Sequence, residues 1–407
     1  MNRIWLRRLL VLLSVAVIGS GCASGGSSPP PATATPASAT PPVAGSPSES
    51  PVIEANLIDV QVAGHTLRIP TGLRVTIFAE DLGSPRFMAL DDRGVVYVAD
   101  PAGGRILRLP DENGDGVADK ATEVLRGLDQ PHSLAFHGGW LYVAETNEVV
   151  RSREDAGVYG APEIVVPDLP TGGHWSRTIV FGPDGMLYLS IGSSCNVCNE
   201  HDDRRASVLR YSADGGDGAL FSTGLRNAFG LAFDASGHLW ATNNGRDGMG
   251  DDVPPETINL LAQGADFGWP GCHAGDIPDP EYTGERGCKG VTQPSVRMQA
   301  HSAPLGLAFA DATTLGGAFE GSLLVAFHGS WNRTVPTGYK VVLLPFVDGQ
   351  PTGQTLDFLS GFLLADGSSW ARPVGILPLP DGSVLVSDDA GGRIFRISLD
   401  RKRPSGS

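Results

Sequence analysis

The chain has 407 residues with 54 glycines and 31 prolines, and only 18% of it is charged. That is too apolar for a disordered chain and too rich in Gly and Pro for a helical bundle, so it predicts many short strands joined by turns. The formal charge of −15 argues against a nucleic-acid binder, which needs a basic face, and leaves neutral substrates such as sugars open.

The N-terminus reads as a targeting segment. Arg3, Arg7 and Arg8 precede an apolar run over residues 9–19 and a small-residue exit at Ser20, Gly21 and Cys22. The run has the size of a signal-peptide core and is too short for a comfortable transmembrane helix. Residues 1–21 are therefore expected to be a signal peptide. The position of Cys22 is similar to a bacterial lipoprotein signal, in which that cysteine is lipidated, although Gly19 stands where Leu is usual; soluble secretion is the alternative. The expectation is an exported protein, periplasmic, on the outer membrane or secreted, that meets a membrane only through a lipid anchor. Loss of the three leader arginines takes the charge to −18. Residues 22–54, rich in Pro, Ala, Ser and Thr, read as a tether with partial polyproline II character, and 55–402 as one folded domain.

Within that domain one phrase recurs: an apolar triplet, a turn with Gly or Asp, then an apolar strand. Its triplets end at Leu90, Phe136, Phe181, Phe233, Phe309 and Leu377, with a basic spacing near 45 residues and two longer intervals. That length suits one four-stranded propeller blade, and six copies predict an all-β, six-bladed β-propeller of four-stranded blades. Residues 50–69 also alternate like strands, without showing which strand closes the ring.

In such a scaffold, polar residues that interrupt the repeat are the informative ones. They fall in GGHWSRT with His174, in GLRNAFGLAF with Arg226 and Asn227, and in NNGRDG with Gly245 and Arg246. Later clusters are FHGSWNRTVPTGYK, with His328, Trp331, Arg333 and Lys340, and WARPVG with Arg372. Independently, Asp111, Asn113, Asp115, Val117 and Asp119 sit at calcium-loop spacing around Gly116, but Thr122 stands where a glutamate would complete an EF-hand. A weak structural calcium site and an ion-free acidic turn are the two readings. Setting Cys22 aside leaves Cys195, Cys198, Cys272 and Cys288. In an exported protein two disulfides fit, Cys195–Cys198 and Cys272–Cys288 being the economical pairing; a redox pair and a four-cysteine zinc site are the alternatives. No CxxCH motif for covalent haem c occurs in the sequence.

Taken in order, these motifs resemble the glucose/sorbosone dehydrogenase family, and most closely its sorbosone and pyranose dehydrogenase branch, across roughly residues 68–400. The resemblance implies a six-bladed propeller using pyrroloquinoline quinone (PQQ) to oxidise the C1 hydroxyl of a pyranose or aldose, or a related sugar aldehyde such as sorbosone. It implies His174 as the base that takes the hydroxyl proton while hydride passes to PQQ C5. It implies Arg226 and Asn227 against the quinone oxygens, and Arg246, Trp331, Arg333, Lys340 and Arg372 as further cofactor contacts. A calcium ion would be held through the backbone carbonyls of Gly245 and Arg246. The implied partners are a neutral sugar and an external electron acceptor, either a quinone or a redox protein. A non-catalytic propeller binding a protein or glycan at the cell envelope, and a metal-dependent propeller lactonase or hydrolase, are the competing functions.

Overall fold

The computed structural model describes residues 56–282 and 287–400. The expected leader, tether and Cys22 anchor lie outside the described residues. Among the described residues no helix is long and apolar enough to cross a membrane.

Six sheets follow one another along the chain, each beginning with one of the six triplets and antiparallel throughout save for a two-residue parallel strand, Ala265–Asp266, on the outer edge of the third. The innermost strands are Met88–Leu90, Ser133–His137, Arg177–Phe181, Ala228–Phe233, Pro304–Phe309 and Pro373–Pro378. Each contacts the inner strand of the next sheet, and the last contacts the first, which makes a six-bladed propeller around a central axis. The turn after an inner strand is set locally. Asp184 accepts the amide of Met186 at 3.1 Å, and Asp234 accepts those of Ser236 and His238, each at 2.9 Å. Such side chain–backbone bonds favour turns over continued strand, and Gly185, at φ 73°, closes the first of them.

The repeat also contains the glue between blades. In the first four blades the aromatic residue of the second strand packs edge-on against the triplet phenylalanine of the following blade. Tyr97 meets Phe136 at 4.9 Å, Tyr142 meets Phe181 at 4.8 Å, Tyr188 meets Phe233 at 5.4 Å and Trp240 meets Phe309 at 6.0 Å between ring centroids. All four donor rings are buried, so each unit covers its neighbour's apolar face, which no single unit could bury alone. Trp240 also donates Nε1–H to Asp234 at 2.9 Å. Replacing Trp240 with alanine is therefore expected to cost about 3–5 kcal/mol of stability, read as a lowered denaturant midpoint; a loss under about 1 kcal/mol would contradict this packing role.

Ring closure is long-range. Strand Leu73–Ala79 pairs with Arg393–Leu399 as the outermost strand of the sixth blade, so both ends of the domain share one sheet. The hairpin of Leu57–Val62 and His65–Pro70 does not join a blade ladder. It lies on the flank of blades five and six, burying Leu67 and Ile69 with Phe358, Leu359 and Phe362. Near the axis, buried hydroxyls tie neighbouring blades: Thr178 to the Phe229 carbonyl, Thr242 to the Leu305 carbonyl and Ser387 to the Arg86 carbonyl, at 2.5, 2.8 and 2.5 Å. These bonds fix the inner strands whose ends carry the candidate site.

Candidate active site at one mouth of the channel

Because each inner strand runs antiparallel to its neighbour, residues just before inner strands and just after second strands meet at the same end of the channel. Two groups form there.

The first surrounds His174. Gly172 and Gly173 precede it, and a Cβ on Gly173 would fall 2.4 Å from the Ser194 Cα, so only glycine lets this loop press against residues 193–194. Arg177, fully buried, clamps the loop by donating to the His174 and Ser176 carbonyls at 2.8 and 2.9 Å and to that of Pro170 at 2.6 Å. The imidazole Nδ1 lies 2.9 Å from the Ser193 carbonyl and 3.1 Å from Ser193 Oγ. The Ser193 hydroxyl donates its own hydrogen to the Cys195 carbonyl at 2.6 Å. Both Ser193 oxygens can then only accept, so Nδ1 carries the proton and Nε2 keeps its lone pair. Burial, reinforced by the positive charge of Arg226, lowers the His174 pKa to about 4, so the ring is neutral at pH 7 and ready to accept a proton.

Arg226 is held from two sides. It donates to the Gly245 carbonyl at 2.7 Å and to Asp247 at 2.9 Å, and to Asn196 through both the main-chain oxygen (3.2 Å) and Oδ1 (3.1 Å). Asn227 donates its amide to Asn244 Oδ1 at 3.2 Å, and Asn244 in turn donates to the Pro304 carbonyl at 2.7 Å. His174 and Asn227 meet across Gly192, where a Cβ would lie 2.4 Å from Asn227 Oδ1 and 2.7 Å from His174 Cβ.

The second group joins blades five, six and one. Asp389 accepts from Arg86 at 2.8 Å and from His328 Nε2 at 2.9 Å. Arg372 donates to the His328 and Gly329 carbonyls at 3.2 and 3.3 Å. The Arg86 guanidinium lies over Trp175 and Phe229, 5.3 and 5.4 Å from their centroids, so Trp175, next to His174, links the two groups. Beneath them His132 turns Nδ1 to the Arg177 carbonyl at 2.9 Å, and its buried Nε2 has no partner; neither has Arg86 Nε.

The other sequence candidates have partners and surroundings of their own. Arg246 is buried against Asp279 and bonds Glu281 at 3.0 Å. Arg333 clamps the Asp251 and Ala300 carbonyls and pairs with Asp252 at 3.0 Å. Lys340 begins the third strand of blade five and pairs with Asp357 on the outermost strand at 2.6 Å, away from the axis. Trp331 is 78% exposed, while its neighbour Asn332 donates to Asp247 at 2.7 Å. Cys195 is bonded to Cys198 and Cys272 to Cys288. In the 111–119 loop the oxygens turn inward to their own backbone: Asp111 accepts the amides of Asp115 and Gly116, Asp115 that of Val117, and Asp119 that of Glu112. Asn113 bonds Asp115 and Asp119. Among the described residues only Cys195, Cys198 and Glu200 bring three metal-ligating side chains of the His, Cys, Asp and Glu kind within 4.8 Å of one another, and both sulfurs there are spent on the disulfide. Sequence reasoning passed over Ser193, Asn196 and Asn244, small polar loop residues with no spacing signal.

Burial of neutral imidazoles has a cost in acid. The His174 and His328 pKa values are both lowered to about 4, chiefly by burial. Between pH 6.5 and 4 the unfolded chain takes up protons that these two folded rings refuse, so stability falls as pH falls, by roughly 3 kcal/mol for each. Buried Glu256, raised to about 7, works the other way. It holds a proton when folded that the unfolded chain has lost, which offsets about one imidazole. The pKa of fully buried His132 is lowered well below its ordinary value, again chiefly by burial, and adds to the loss. The expected net result is a fall of at least about 3 kcal/mol from pH 7 to 4, measurable by denaturant titration at each pH; a flat or rising profile would contradict it.

Residues 67–400 match the family described as TrAA12-like. The chain belongs to that family. It is one of six-bladed, PQQ-dependent sugar and pyranose dehydrogenases, in agreement with the motif resemblance. A relative from Coprinopsis cinerea, named pyrroloquinoline quinone-dependent pyranose dehydrogenase, is 25% identical over 413 residues, covering 84% of this chain and 55% of that protein. One from Hypocrea jecorina, named pyrroloquinoline quinone-dependent sugar dehydrogenase, is 24% identical over 391 residues, or 80% of this chain and 87% of that protein. Among solved structures, the calcium structure of the Trichoderma reesei family AA12 enzyme superposes with a TM-score of 0.73 at 23% identity, covering 84% of this chain and 99% of the other. The holo PQQ domain of the Coprinopsis cinerea pyranose dehydrogenase gives 0.71 at 23%, covering 82% and 97%. At such identities these two structures show the fold.

Proposed function

We propose that this TrAA12-like protein is a PQQ-dependent dehydrogenase that oxidises the C1 hydroxyl of a pyranose or aldose, or a related sugar aldehyde such as sorbosone. The observation that carries the reading is a neutral imidazole of fixed tautomer, His174, set at the channel mouth beside Arg226 and Asn227. The donors present suit an anionic, flat cofactor. The Arg372 guanidinium donates to the His328 and Gly329 carbonyls, Arg86 has an unpartnered Nε, and the Trp175 face lies between the two groups.

Bound PQQ would supply the electron-poor quinone carbon, C5, that takes the hydride. Within that arrangement Arg86, Arg226 and Arg372 bind carboxylate and quinone oxygens, His174 Nε2 takes the C1 hydroxyl proton, and Arg226 with Asn227 steadies developing negative charge. Trp331 offers an exposed aromatic face at the rim. Arg246, Arg333 and Lys340 belong to neither of the two groups at the mouth, being held against Asp279, Asp252 and Asp357, and are not needed for this set. For calcium the residues offer little: the Gly245 carbonyl already accepts from Arg226, and Asp247 is engaged by Arg226 and Asn332.

Export, lipidation at Cys22 and delivery of electrons to a quinone or redox protein belong to the same proposal and rest on the N-terminal motif and the chemistry of reoxidation. The site is tested by equilibrium titration of the purified protein with PQQ. Saturable one-to-one binding, weakened at least tenfold by Arg372→Met, is expected; absence of binding in the wild type would overturn the reading.

A further inference from the structure

The loop that follows the second strand of blade three is closed on itself by the Cys195–Cys198 disulfide into a ring of four residues. Its anchorage is unusually complete for an exposed loop. Glu200 accepts both the amide and the hydroxyl of Ser194 at 2.7 Å, fixing the strand side of the ring. Inside the ring, every polar atom of the Asn196 side chain is used. Oδ1 accepts from Arg226 Nη2 at 3.1 Å and from the Asp247 amide at 2.9 Å, while Nδ2 donates to the Asp247 carbonyl at 2.9 Å. Its main-chain oxygen accepts Arg226 Nε at 3.2 Å and Trp269 Nε1 at 3.1 Å.

Asn196 thus mimics a strand partner for Asp247 and at the same time takes two donors of Arg226. Three segments that are distant in sequence, carrying Arg226, Asp247 and Trp269, therefore meet on this one residue. The same ring reaches His174 by a separate route, because the Cys195 carbonyl receives the Ser193 hydroxyl that accepts from Nδ1. The Ser193 amide also donates to the Arg226 carbonyl at 2.8 Å, so the imidazole and the guanidinium share one support. A chain of four residues without the cross-link would have to lose its conformational freedom each time Arg226 was set; the disulfide removes much of that freedom beforehand.

We propose that the Cys195–Cys198 ring is the positioning element of the site, with Asn196 as the residue that aims Arg226 and keeps the Ser193–His174 pair in register with it. The inference rests on the proposed function for its cofactor readout only.

Two variants and two readouts test it in the full chain. Asn196→Ala leaves the disulfide in place and removes the side-chain contacts; Cys195→Ser combined with Cys198→Ser frees the ring. Asn196→Asp keeps an oxygen toward Arg226 and serves as the conservative rescue. In the cofactor-free protein, the ring-nitrogen NMR signals of His174, assigned by their loss in His174→Gln, are expected to shift or broaden in Asn196→Ala and in the double variant. With PQQ added, the dissociation constant is expected to rise about tenfold in Asn196→Ala and to recover at least in part in Asn196→Asp, and kcat at saturating PQQ is expected to fall while the sugar KM stays within about twofold. Unchanged His174 signals in Asn196→Ala, with unchanged PQQ binding, would overturn the proposal even if the double variant fails to fold. His174 signals that shift in Asn196→Ala, together with a wild type that binds no PQQ, would instead leave the positioning role standing and remove the proposed function.

Discussion

Replacing His174 with alanine is expected to lower sugar oxidation by roughly 10²–10⁴-fold, the usual range for loss of a positioned general base, while PQQ binding stays close to that of the wild type. The reason is the division of labour at the mouth. The charges that suit an anionic cofactor sit on Arg226, Arg86 and Arg372, whereas His174 is neutral and is fixed through Nδ1 to both Ser193 oxygens. Truncation removes the Nε2 lone pair and leaves the guanidinium network on Asn196, Gly245 and Asp247 untouched. A glutamine at the same position fills similar space without a base of imidazole strength and should be nearly as inactive. Steady-state rates with an artificial acceptor, taken alongside PQQ titrations, separate the two effects. Turnover within about threefold of wild type would remove His174 from its role as base.

Gly192→Ala is expected to reduce turnover by one to two orders of magnitude through one added methyl group. Gly192 follows the strand Leu187–Ile191 and its backbone is not among the left-handed glycines, so alanine fits the local conformation. The obstacle is what the methyl would meet: Asn227 Oδ1 at 2.4 Å, His174 Cβ at 2.7 Å and His174 Cγ at 3.1 Å. None of these is the free end of a long chain. His174 is held by Ser193 and Asn227 by Asn243 and Asn244, so accommodation has to separate the imidazole from the amide. A shift of about 1 Å at a reacting centre is enough for a loss of that size, whereas overpacking of this kind costs about 1–3 kcal/mol in stability. A thermal melt measured beside the rate distinguishes misplacement from unfolding. An active, fully folded Gly192→Ala would show that His174 and Asn227 need not be adjacent.

Much of the fold was legible because its signals are local. The Asp-turn-Gly phrase is a hairpin that closes within a few residues, and Asp184 and Asp234 show the carboxylate making it. The aromatic residue in the second strand of four units and the triplet phenylalanine of the next explain why the repeat implied a ring. Ring closure was not legible: Leu73–Ala79 finds its partner at Arg393–Leu399, and alternation alone marked the preceding hairpin just as strongly.

The site divides along the same line. His174, Arg226, Asn227 and Arg372 were visible as polar residues standing immediately before inner strands, where strand order forces them to one mouth. Their partners were not, since Asp389 lies 303 residues from Arg86 and Asn196 lies 30 from Arg226. Lys340 shows the converse. It sits in a motif beside Tyr339, yet it opens a third strand rather than an inner one, and its ammonium turns to Asp357 on the outer edge. Arg333, close by in sequence, is drawn to the Asp251–Asp252 loop.

The central claim, a sugar-oxidising PQQ site built on His174, is tested most directly by reconstituting the purified protein with PQQ and supplying a panel of pyranoses, aldoses and sorbosone with an artificial electron acceptor. The account predicts sugar-dependent reduction of the acceptor that requires PQQ and disappears in His174→Ala. PQQ-loaded wild type that reduces no acceptor with any sugar, or an equally active His174→Ala, would contradict it.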